Sequence, residues 1–144
     1  MENKPTKSER ARLAGTYFDE GYSCAQSIIL GLADFTKLDQ NTATNIAGAF
    51  GGGMGEAKSV CGVATGALMT LGLYEGRQYE NLMHKNANIR LLADEFLKRF
   101  EAAQHTIDCP MIIQHAKKQG VRPHSACKCA VETGVAIVED LLED

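Results

Sequence analysis

The chain has 144 residues, a net charge of -3, 44% hydrophobic and 23% charged residues. These are ordinary globular values for one domain, residues 1–144, long enough to bury a core without staples. The mild acidity gives no reason to expect nucleic acid or a membrane surface as partner, and no apolar run approaches the roughly 20 residues that cross a bilayer.

Met1 to Arg12 is polar and lacks the apolar stretch of a secretory leader, so a cytoplasmic protein is expected, with residues 1–6 a disordered N-terminal segment. Lys7 to Phe18 then has apolar positions at helical spacing, and Gly21 can end that helix. Ser23 and Gln26 form a capping box that opens the next helix, which runs to about Ala33. Asp39 can cap a short helix to Phe50. Gly48 to Gly55 reads GAFGGGMG, a loop or tight bend. Ser59 can cap the segment ending at Gly76, whose small residues suit a buried central helix. Tyr79 to about Gln104 is the clearest helix, with Leu82, Ile89, Leu92, Phe96 and Phe100 on one stripe. Asp108 or Thr106 can cap the following helix, with Pro110 in its first turn and Gly120 at its end. Ser125 can cap the last, which carries Val131, Val135, Val138 and Leu142. No strand alternation stands out. The fold class expected is all-α, a compact bundle of about six helices.

Five cysteines are many for a chain this size, and the odd count argues against a disulfide framework. On this reading Cys24, Cys61, Cys109 and Cys127 all fall in first turns of helices. Unpaired backbone N–H groups and the helix dipole stabilise negative charge there, and the thiolate is both nucleophile and metal ligand. A shared role for these four is expected, although each taken alone could be a small packing residue. Their spacing matches no zinc-knuckle, ferredoxin or haem-attachment signature, so the fold must assemble the site from distant helices. Cys129, two residues after Cys127 and with His124 just upstream, could add a ligand or act as a resolving thiol. At about 100° per residue it should face away from Cys127. His84, His105 and His115 are expected at the surface. Gly51, Gly52 and Gly53 fail the tests for a phosphate loop. They fit a tight connection, or a backbone drawn close to a bulky group such as a cluster.

GYSCAQSI, AGAFGGGMG, CGVATGALMTLGL and CKCAVETGVAIVEDLL together resemble the small prokaryotic redox-active proteins named for their cysteine pattern, C-GCAxxG-C-C. Cys109 fits the third cysteine, and Cys127 fits the fourth better than Cys129. Val63 departs from the usual alanine of the second motif. The resemblance implies a redox role resting on Cys24, Cys61, Cys109 and Cys127, with an unidentified redox partner protein. Two mechanisms compete. The four thiolates hold an iron–sulfur cluster, the preferred reading, or thiol pairs cycle with a disulfide. A zinc-stapled or structural helical binding protein is the alternative from another class.

Overall fold

The structure is a computed structural model that describes residues 7–143. The expected disordered segment, residues 1–6, lies outside them. The described residues form eight α-helices: α1 (Glu9–Asp19), α2 (Cys24–Gly31), α3 (Ala33–Thr36), α4 (Gln40–Ala47), α5 (Gly62–Gly76), α6 (Leu82–Gln104), α7 (Cys109–Lys118) and α8 (Pro123–Leu142). The all-α class is as expected, with more helices than about six. The segment after Ser23 breaks at Leu32 (φ -104°, ψ 25°), and its continuation, α3, stops where Lys37 turns left-handed.

Local chemistry sets most of the boundaries. Ser8 Oγ accepts from the Ala11 amide and starts α1, and Gly21, at φ 107°, turns the chain out of it. Ser23 and Gln26 close the capping box in both directions. The Gln26 side chain also donates to the Thr44 carbonyl, which ties α2 to α4. Asp39 accepts from the Thr42 amide at the start of α4, and Asp108 from the Met111 amide at the start of α7. Orphan amides at four helix starts are thereby satisfied.

α2 and α5 form the centre, with α1, α6 and α8 packed around them. Ile28 and Ile29 of α2, Val63 and Leu71 of α5, Phe96 and Phe100 of α6, and Val131, Val135 and Val138 of α8 are fully buried. Each such side chain contributes roughly 1.5–3 kcal/mol by leaving water. Small residues set how closely the helices cross. A Cβ on Gly66 would lie 2.4 Å from Ile28 Cγ2, so α5 and α2 touch nearly backbone to backbone.

α6 departs from its expected stripe. Its N-cap is Asn81, so it begins at Leu82 rather than Tyr79. Phe96 and Phe100 reach the core, and Ile89 lies against Gly72 and Gly76 of α5. Leu82 is 68% exposed, because the first turn of α6 extends past Gly76, the last residue of α5.

Candidate functional site

Cys24 and Cys109 are the first residues of α2 and α7, and Cys61 is the N-cap of α5. The expectation that Ser59 caps α5 is corrected: Cys61 is the N-cap, and the Ser59 carbonyl instead accepts from the Cys109 amide. Cys127 is corrected too. Pro123, whose ring presets φ and which has no N–H to lose, starts α8 behind Arg122. Cys127 is therefore the fifth residue of α8, not a first-turn residue capped by Ser125.

Two short pairings bring Cys61 and Cys109 together. Val60 and Asp108 form an isolated antiparallel bridge. The Cys61 amide donates to the Ile107 carbonyl at 2.7 Å, and the Cys109 amide donates to the Ser59 carbonyl at 2.7 Å. The helix starts of α5 and α7 are thus held side by side. The glycine segment locks this pairing: the Ser59 amide donates to the Gly53 carbonyl. Gly53 is at φ 84°, and a Cβ there would stand 2.8 Å from Cys109 Cβ. On the other side, a Cβ on Gly62 would stand 3.3 Å from Cys24 Cβ. Of the three glycines expected near a bound group, Gly51 presses on Ser23 and Gly53 on Cys109. Gly52 is exposed and borders a surface cleft with Lys58, Cys109, Pro110 and Ile113. Close packing against the cysteine-bearing helix starts explains the first two.

All four thiols interact. Cys24 responds to Cys61, Cys109 and Cys127; Cys61 responds to Cys109 and Cys127; Cys109 responds to Cys127. The strongest coupling is between the Cys24 and Cys127 thiols, brought together from α2 and α8. It holds the proton on Cys24, whose acidity burial weakens further, and pulls Cys127 down to about 7. His124 also favours the Cys127 thiolate, while burial opposes it. Cys61 is pushed up to about 11 by burial, although the Val63 and Ala64 amides face its sulfur and favour the thiolate. These amides do not close a cap hydrogen bond. Burial also raises Cys109, with the Cys127 charge adding to it and Lys58 opposing it. Within this pair Cys24 is held protonated and Cys127 is the thiol more readily ionised.

Cys129 is exposed and borders a separate cavity of about 250 Å³ with His105 and His115, whose ring centroids are 4.7 Å apart. His84, His105 and His115 are at the surface. None of the five cysteines is in a disulfide. Among the described residues no three His, Cys, Asp or Glu side chains converge to hold a metal ion. The four cysteines are a coupled pair, Cys24 and Cys127, with Cys61 and Cys109 close enough to influence it.

Sequence reading missed two features. The bridge between Ser59–Val60 and Ile107–Asp108 had a faint signal, a β-branched residue just before each helix start. The pairing of His124 with Asp19 joins chain segments too far apart for any local pattern to show it.

A family model described as "Putative redox-active protein (C_GCAxxG_C_C)" matches residues 22–141. The chain belongs to this family. The match takes in all five cysteines and the glycine segment, and a redox role in general follows for the C_GCAxxG_C_C chain. No curated protein and no solved structure matches it. No helix among its described residues is long and apolar enough to cross a membrane.

Proposed function

We propose that Cys24 and Cys127 form a two-electron thiol–disulfide couple that exchanges with a disulfide on a partner molecule. The observation that supports this over the cluster expected from sequence is that Cys24 and Cys127 are the most strongly coupled of the four thiols, with Cys127 lowered to about 7. A thiolate at that acidity combines a high ionised fraction with good nucleophilicity.

The Cys127 thiolate attacks one sulfur of the partner disulfide. The partner's S–S bond breaks and its other sulfur leaves as a thiolate. Cys24 then loses its proton, attacks the Cys127 sulfur, and displaces the second partner thiolate. The protein ends as a Cys24–Cys127 disulfide, two electrons poorer, and the partner as two thiols. The reverse sequence oxidises a partner dithiol. Cys61 and Cys109 flank the pair and raise the cost of keeping two thiolates together. Five cysteines with no disulfide among them suit a reducing compartment such as the cytoplasm.

The test is stepwise oxidation of anaerobically purified protein with a small disulfide, followed by alkylation and peptide mapping. The Cys24–Cys127 disulfide should form first. Its absence while other pairs form would sink the couple. The same preparation is analysed for iron, sulfide and zinc: stoichiometric iron with sulfide would put the cluster in its place, and stoichiometric zinc the structural reading.

A further inference from the structure

The fold brings two histidines together away from the four cysteines. His105 is the C-cap of α6, where its amide donates to the Glu101 carbonyl at 2.7 Å and its backbone is left-handed, at φ 71°. Residues other than glycine adopt that conformation rarely. His115 lies in the last turn of α7. Their ring centroids are 4.7 Å apart, with the planes tilted by 46°. Both residues are exposed, so burial in the core does not force the rings together. They border one cavity of about 250 Å³.

Imidazole is a preferred ligand of nickel, copper and zinc ions. An ion bonded at about 2.0–2.1 Å to one nitrogen of each ring sets the ring centres roughly 4.5–5.4 Å apart, for bond angles between square and tetrahedral. The observed separation falls in that range. The helix ends favour a cation as well, because the last carbonyls of α6 and α7 form the negative poles of those helices. Lys117 and Lys118 follow His115 on α7 but do not border the cavity. The side chains of Gln104, Gln119 and Ser125 do border it, and they can hydrogen-bond water held by an ion. Cys129 borders it too, yet its thiol does not converge with the two rings on one point.

We infer that His105 and His115 form a binding site for a divalent ion of the nickel, copper and zinc group, with water completing its coordination. Binding replaces two waters of the ion by two imidazole nitrogens, and no electron moves. The ion ties the end of α6 to the end of α7. The site is separate from the Cys24–Cys127 couple and stands whether or not that couple does.

The experiment is equilibrium dialysis of reduced, untagged full-length protein against nickel(II) chloride. Wild type is compared with His115→Gln and with His105→Asn, whose asparagine suits the left-handed backbone. Wild-type protein should bind one ion per chain that each variant binds about tenfold more weakly or worse, since losing even a ligand's hydrogen-bond partner costs that much. His84→Gln, at the other end of α6, should bind as wild type does. Urea unfolding should agree: nickel should raise the wild-type midpoint by more than it raises that of either variant. Equal nickel binding by wild type and both variants overturns the inference. Weakening in only one of the two overturns the pair, because a single imidazole would then hold the ion. An equal weakening in His84→Gln marks unspecific surface binding and overturns the site. Ions that both variants retain belong to the cysteines, so failure of this site and failure of the couple are read apart.

Discussion

The Cys24 thiol, at the first position of α2, is coupled to the thiol of Cys127 in the second turn of α8, and the coupling keeps the proton on Cys24. A neighbouring thiol that keeps its proton favours the ionised form of its partner, and this coupling is the largest influence on Cys127. Cys24→Ala removes it. The Cys127 alkylation midpoint should then rise from about 7 toward the ordinary thiol range. The rise should exceed that of His124→Gln, because the imidazole acts on Cys127 less strongly than the Cys24 thiol. An unchanged midpoint in Cys24→Ala would show that the two thiols are not coupled in solution.

The glycine segment offers a matched pair of substitutions. Gly52 and Gly53 both have positive φ, 68° and 84°. At Gly52 a Cβ would meet nothing within 4 Å; at Gly53 it would meet Cys109 Cβ at 2.8 Å and the Ser59 amide at 2.9 Å. Gly52→Ala should therefore cost only the left-handed conformation, about 1–2 kcal/mol. Gly53→Ala adds a clash with two groups that cannot turn away, and should cost about 3 kcal/mol or more. Urea unfolding of the reduced proteins measures both. Equal losses would mean that Gly53 does not hold the start of α7 in place.

Burial of Cys61 makes stability fall in alkali. Its thiol is pushed from 9.0 to about 11 in the folded state. Below about pH 9 the thiol is neutral whether folded or not, and this contribution is fully present. Between about 9 and 11 the unfolded chain ionises first, so stability is lost as pH rises. Cys127 has the opposite sign: lowered to about 7, it adds stability that is complete above about 9 and is lost as pH falls through 7. Cys61→Ser removes the first effect. The gap between wild-type and Cys61→Ser stability should shift against the wild type between pH 9 and 11, by about 2–3 kcal/mol. A constant gap would mean that the folded protein lets water reach Cys61.

Much of this fold was legible because side chains cap helices locally. Ser23 with Gln26, Asp39 and Asp108 each mark a helix start within four residues of sequence, and the structure uses all three. Placement of Cys24 and Cys109 at helix starts followed directly. Cys127 was misplaced because Ser125 offers a plausible cap, while Pro123 starts the helix earlier without one. Leu82 was misassigned for another reason. Its periodicity is helical, but burial depends on how far the neighbouring α5 reaches, which a single helix pattern does not encode. The bridge from Val60 to Asp108 and the bond from Asp19 to His124 are tertiary; only the bridge leaves a local trace, the β-branched Val60 and Ile107, and the bond leaves none.

The two C-terminal cysteines should separate cleanly in experiment. Two positions along a helix turn a side chain by roughly 200°. Cys127 meets Cys24 on one side of α8, while Cys129 is exposed beside His105 and His115 on another. Cys127→Ser should abolish the first disulfide formed on oxidation and leave Cys24 without its partner. Cys129→Ser should leave that disulfide intact and change stability by no more than about 0.5 kcal/mol, as expected of an exposed position. Peptide mapping of the oxidised variants and urea unfolding of the reduced ones read the two effects independently. If Cys129→Ser instead removed the disulfide, Cys129 would be the resolving thiol. α8 would then have to unwind its first turns during exchange, since no regular helix presents residues 127 and 129 to one partner.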